Sequence, residues 1–136
     1  MSAFSPMKNV DQPITYQGGC HCGAVRFQVL VEEHSAIDCN CSICLKKGFL
    51  HLIVPQSNFT LISGANVLTT YTFNTGTAKH TFCRICGIHS FYHPRSHPDA
   101  IDINIRCLDG DVLSLFDIKP FDGANWEANI DKIRGS

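Results

Sequence analysis

The chain is short of charge. Of its 136 residues only 17% are Asp, Glu, Lys or Arg, and eleven basic residues face twelve acidic ones with no run of either sign. A basic stripe is the footprint of a nucleic-acid binder, so a polyanionic partner is excluded. No apolar run reaches the roughly 20 residues that a membrane span requires. Met1-Ser2-Ala3-Phe4-Ser5-Pro6 lacks both the basic and the apolar region of a secretory leader. These absences predict a soluble, cytoplasmic protein with neither a nucleic-acid nor a membrane partner. Internal repeats and low-complexity stretches are also missing, and a hydrophobic fraction of 44% is enough for one core. Residues 1–13, polar and containing Pro6 and Pro13, read as a flexible tail, and 14–136 as one folded domain.

What the chain does hold in quantity is cysteine, eight in all. In a small secreted chain that number would suggest a disulfide framework. Here no leader is present, the core is sufficient without staples, and seven of the thiols fall into CxC, CxCxxC and CxxC clusters. Those spacings bring sulfurs together on metals. Asp38-Cys39-Asn40-Cys41-Ser42-Ile43-Cys44 packs three thiols into six residues, one fewer than a tetrahedral zinc takes. A three-ligand zinc with an open fourth position is the form used for catalysis or substrate binding. Cys20 and Cys22 with Cys83 and Cys86 complete a closed four-thiolate structural site, a clip across about sixty residues. The competing partition makes one four-thiolate site from any two pairs and leaves the other thiols idle.

Between the clusters the pattern is that of strands. Val25, Phe27, Val29 and Val31 alternate with Arg26 and Gln28, which predicts a half-buried strand over Ala24 to Val31. Phe49 to Val54, stopped at Pro55, and Phe59 to Ile62, stopped at Ser63-Gly64, read as two more. Val67 to Asn74, Ala78 to Phe82, Ser90 to Tyr92 and Ile101 to Arg106 follow, with Thr75-Gly76-Thr77 as a hairpin-like connection. Ser42 to Lys47 is expected to form one helical turn ended by Gly48. Asn125 is expected to cap a short C-terminal helix with Trp126, Ile130 and Ile133 on its apolar face.

Gly18-Gly19-Cys20-His21-Cys22-Gly23-Ala24-Val25-Arg26-Phe27, Cys39-Asn40-Cys41-Ser42-Ile43-Cys44 and Phe82-Cys83-Arg84-Ile85-Cys86-Gly87 resemble the glutathione-dependent formaldehyde-activating enzyme family. Thr70 to Thr75, Pro94-Arg95-Ser96 and Arg106-Cys107-Leu108-Asp109 place the resemblance nearest its centromere protein V members. The likeness runs from about Tyr16 to Asn129. It implies an all-β, Mss4-like fold of twisted antiparallel sheets around zinc knuckles, with two zinc ions per chain. It also implies a structural site at Cys20, Cys22, Cys83 and Cys86 and an exchangeable one at Cys39, Cys41 and Cys44. Its members are carbon–sulfur lyases acting on glutathione adducts.

A soft, thiolate-rich zinc suits a sulfur ligand, so the open site is expected to take glutathione by its sulfur rather than to hold a water. Arg84, Arg95, Arg106, Lys46 and Lys47 are candidate clamps for the glutathione carboxylates. His21 and His51 are candidates for acid–base work or a spare ligand, with His21 expected to point away from the metal and His51 to pack in its strand. Cys107 reads as a small core residue. The alternative reading is a zinc-stabilised binding module without turnover, which the same fold supports.

Overall fold

A computed structural model of the chain describes residues 12–73, 79–94, 97 and 99–122. The expected tail (apart from Gln12 and Pro13), the hairpin-like connection at Thr75-Gly76-Thr77, and the C-terminal helix of Trp126, Ile130 and Ile133 lie outside the described residues.

The described chain is built from β1 (Ile14–Gly19), β2 (Arg26–Val31), β3 (Ser35–Cys39), α1 (Ser42–Lys47), β4 (Leu50–Pro55), β5 (Phe59–Ser63), β6 (Leu68–Tyr71), β7 (His80–Cys83), β8 (Phe91–Tyr92), β9 (Ala100–Asn104) and β10 (Asp117–Phe121). A three-stranded sheet runs β1-β2-β5, a five-stranded sheet runs β10-β3-β4-β9-β8, and β6-β7 form a separate ribbon. The all-β, Mss4-like architecture is therefore as expected, with one departure from antiparallel pairing. β10 lies parallel to β3, with Phe121 beside Cys39.

Alternation along β2 does what period-two patterning requires. Val25, Phe27, Val29 and Val31 are all fully buried, while Gln28 faces out. Phe27 stacks on Phe59 at 5.6 Å and meets Phe91 edge-on at 6.1 Å, which ties the first sheet to the second. Leu50, Leu52 and Val54 of β4 and Ile101 and Ile103 of β9 supply the other side of that core. Fully burying each such side chain contributes roughly 1.5–3 kcal/mol.

β9 differs from a half-exposed strand, because all five of its residues are buried. Ile101 and Ile103 face the apolar core, so Asp102 and Asn104 face the other way. His51, on β4, lies opposite Asn104, and Asp102 is two residues along on the same face. Burial on both faces thus creates a polar layer in the interior, next to the cysteine loop.

Candidate metal centres and cleft

The first cluster is assembled by two turns. Cys20 and Cys22 occupy the β1–β2 loop, which closes by Cys20 N–H donating to Val25 O at 3.1 Å. Cys83 ends β7, and a turn closed by Gly87 N–H to Cys83 O at 2.7 Å presents Cys86 beside it. Gly87 has φ +80, a value that a side chain would strain. The four sulfurs lie within 4.8 Å of one another, with Cys20–Cys22 at 3.6 Å and Cys22–Cys83 at 3.7 Å. Thiolates about 2.3 Å from a tetrahedral zinc are about 3.8 Å apart, so the donor set fits that ion. Val25 N–H donates to Cys20 Sγ at 3.3 Å. Burial opposes ionisation of Cys86, but N–H groups from Cys22 and Ile88 bring its thiol down to about 6.

The second cluster straddles the end of β3 and the start of α1. Cys39 is the last residue of β3, and Asn40 N–H to Phe121 O at 3.2 Å fastens the loop to β10. Cys41 caps α1, its sulfur accepting the Cys44 N–H at 3.4 Å, the role usually taken by a Ser or Asp oxygen. One turn on, Cys44 points inward and is buried, and Gly48 ends the helix at φ +66. The three sulfurs converge within 4.8 Å. Cys39 and then Cys44 hold the Cys41 thiol far below its ordinary value. Cys41 in turn pushes Cys39 up, and Cys39 and Cys41 push Cys44 up. Such a set favours one thiolate and resists a second, the condition that a bound dication relieves. Both clusters can hold a metal ion. Among the described residues no disulfide joins any of the eight cysteines.

Sequence reasoning underrated what stands behind Cys44. His51 is buried, and its Nε2 lies 3.1 Å from Cys44 Sγ while its Nδ1 lies 2.7 Å from Asp102 Oδ2. Tyr92 Oη is 3.4 Å from the same Nδ1. His51 is thus buried in its strand as expected, but bonded on both ring nitrogens; Asp102 went unmarked as a site residue. The partners are far apart in sequence and meet only through the β4–β9 register, so no local motif could have flagged them.

Above α1 opens a cleft of about 830 Å³, lined among others by Ser42, Ile43, Lys46, Lys47, Tyr71 and His89. Lys47 extends over the Phe49 and Tyr92 rings, 4.5 and 4.4 Å from their centroids, and donates to His80 Nδ1 at 3.3 Å. Burial lowers its ammonium below the ordinary lysine value. Of the expected clamps, Lys46 and Lys47 line this cleft. Arg84 and Arg106 are exposed and do not line it, and Arg95 lies outside the described residues. His21 is exposed in the CxC loop. Cys107 is partly buried, its thiol raised by desolvation and directed at His89 O at 3.7 Å.

Residues 15–120 match the family model of the glutathione-dependent formaldehyde-activating enzyme. The fold is also similar to the crystal structure of a Rhodobacter sphaeroides protein, with 36% sequence identity and a TM-score of 0.71, covering 77% of this chain and 99% of that one.

Proposed function

The chain belongs to the glutathione-dependent formaldehyde-activating enzyme family, and on that premise we propose that it is a carbon–sulfur lyase acting on a glutathione S-adduct such as S-hydroxymethylglutathione. Zinc at Cys39, Cys41 and Cys44 is assigned the catalytic part, and a second zinc at Cys20, Cys22, Cys83 and Cys86 the structural one. The observation that carries this reading is a convergent set of three sulfurs at the start of α1, the short helix whose Ser42, Ile43, Lys46 and Lys47 line the cleft. When bound there, zinc supplies a soft Lewis acid with room for a fourth ligand, which suits a thiolate.

The chain's own residues divide the remaining work. The three cysteines would hold the metal that takes the substrate sulfur, and Lys46 and Lys47 offer positive charge to the glutathione carboxylates. Tyr71 and His89 present walls that narrow the cleft. In the lyase direction the C–S bond breaks with its electron pair going to sulfur, the hydroxyl proton leaves and the carbonyl forms. Addition of the thiol to the aldehyde runs the same steps backwards. The resemblance to centromere protein V members is read as one of this domain alone. The compartment is read as cytoplasmic, where clustered thiols stay reduced.

Calorimetry with glutathione and S-methylglutathione tests the sulfur's role, because the methylated ligand keeps both carboxylates and cannot form a thiolate. S-Methylglutathione should bind at least about tenfold more weakly to the zinc-loaded protein, a difference of about 1.4 kcal/mol. Equal affinities would rule out recognition through sulfur. Failure to turn over any of a panel of glutathione adducts would leave a binding module.

A further inference from the structure

Asp102 and His51 are buried to within a few per cent of complete, in strands whose other faces are aliphatic. Burying such a pair is a poor source of stability, since apolar residues of similar volume often do as well. Its geometry points elsewhere. Asp102 fixes one ring nitrogen at 2.7 Å and the other meets Cys44 Sγ at 3.1 Å, so both are committed. The ring is held between Phe49 and Tyr92, 4.6 and 5.8 Å from its centroid. His51 does not join the converging donors, which are the three sulfurs alone. It therefore stands behind a ligand rather than serving as one. A metal-bound thiolate can only accept a hydrogen bond, so the contact to sulfur in the loaded site requires the ring proton at Nε2, and the contact to Asp102 Oδ2 then requires a second proton shared between Nδ1 and the carboxylate.

We propose that Asp102 and His51 form the outer support of the three-thiol metal site, orienting Cys44 toward Cys39 and Cys41 and setting how tightly that site holds its ion. Both are positioning residues. The inference rests on reading Cys39, Cys41 and Cys44 as a metal site. Its logic is that of the carboxylate–histidine–metal relay displaced by one atom, with sulfur between imidazole and metal. Backbone N–H groups support Cys20 in the four-cysteine cluster and Cys41 in this one, whereas Cys44 is met by the His51 side chain.

The test is competitive titration of the full-length protein with cobalt(II) against a chromophoric chelator, for wild type, His51→Gln, His51→Phe and Asp102→Asn. Wild type should bind two equivalents in two affinity classes. Each variant should weaken the weaker class by about 10–100-fold and leave the tighter class unchanged. In His51→Phe the sulfur-to-cobalt charge-transfer band of the weaker site should move to lower energy, because a thiolate that loses a hydrogen bond gives up its electrons more easily. Asp102→Asn should add little in the His51→Gln background, since the two act through one contact. Unchanged affinity in folded variants overturns the proposal. Should His51→Phe fail to fold, Asp102→Asn, which preserves shape, decides alone by the same affinity criterion. A wild-type protein that binds only one equivalent overturns the metal reading itself, a separate result visible before any variant is made.

Discussion

Burial holds two histidines beside the cleft in their neutral form. His80 is sandwiched between Phe73 and Tyr92, with ring centroids at 5.4 and 4.7 Å, and His89 stacks on Phe82 at 4.9 Å. Desolvation, and then the Lys47 charge, lowers each from the ordinary 6.5 to about 4. A depressed basic group leaves the unfolded chain binding protons that the folded chain refuses. Its stabilisation is complete above pH 6.5 and is lost as pH falls from 6.5 toward 4. Melting temperature should therefore drop over that interval, starting above the carboxylate range. His80→Phe keeps the ring stack but cannot titrate, so its curve should be flatter than that of wild type between pH 6.5 and 5. Two parallel curves would mean that His80 is not linked to folding. At this scale the sequence was legible where chemistry is local. Seven cysteines announce themselves by spacing, and the structure brings them together as four and three. His80, His89 and Asp102 do not, because the polar groups that act on them, Lys47 for the histidines and His51 for Asp102, come from α1 and β4, distant in sequence.

The elements near the sites are stopped by glycines that differ in what surrounds them. Gly48, at φ +66, ends α1 in open space, with nothing within 4 Å of where a Cβ would stand. Gly64, at φ +97, turns after β5 against the backbone, where a Cβ would lie 2.5 Å from Ala24 O and 2.7 Å from the Val25 Cα. Alanine at Gly48 should cost only the left-handed conformation, about 1–2 kcal/mol. Alanine at Gly64 should cost that plus displacement of the β2 entry, about 2–4 kcal/mol in total. Denaturant midpoints of the two variants check this, and equal losses would show that the close approach is soft. These two stops, together with the β2, β4 and β5 periodicities, were readable because apolar runs and glycine act locally. β1 and β10 were not. β1 ends in two glycines, and β10 carries Pro120, which a strand tolerates only at a sheet edge, the place β10 occupies. β9 was readable as a strand but not in its exposure. Asp102 and Asn104 look solvent-facing until the rest of the fold covers them.

Across the whole molecule, the two clusters occupy mechanically different places. Cys20 and Cys22 hang from the β1–β2 hairpin, whereas Cys83 and Cys86 belong to the β6–β7 ribbon, so a metal there would join separate sheets. Cys22 and Cys83 are 61 residues apart in sequence, and closing that loop restricts the unfolded chain. Structural zinc of this kind contributes on the order of 10 kcal/mol to folding. Cys39, Cys41 and Cys44 instead span one strand end and one helical turn, a loop too short to constrain much. Four thiolates should also outbind three plus an exchangeable ligand. A mild chelator should therefore remove about one zinc per chain first, with far-UV and near-UV circular dichroism unchanged, and remove the second only as the protein unfolds. Cys83→Ser should give unfolded or insoluble protein, while Cys44→Ser should give a folded protein that has lost one metal equivalent and its turnover. Simultaneous loss of both ions with unfolding, or the same behaviour in both variants, would show that the two centres share the structural load.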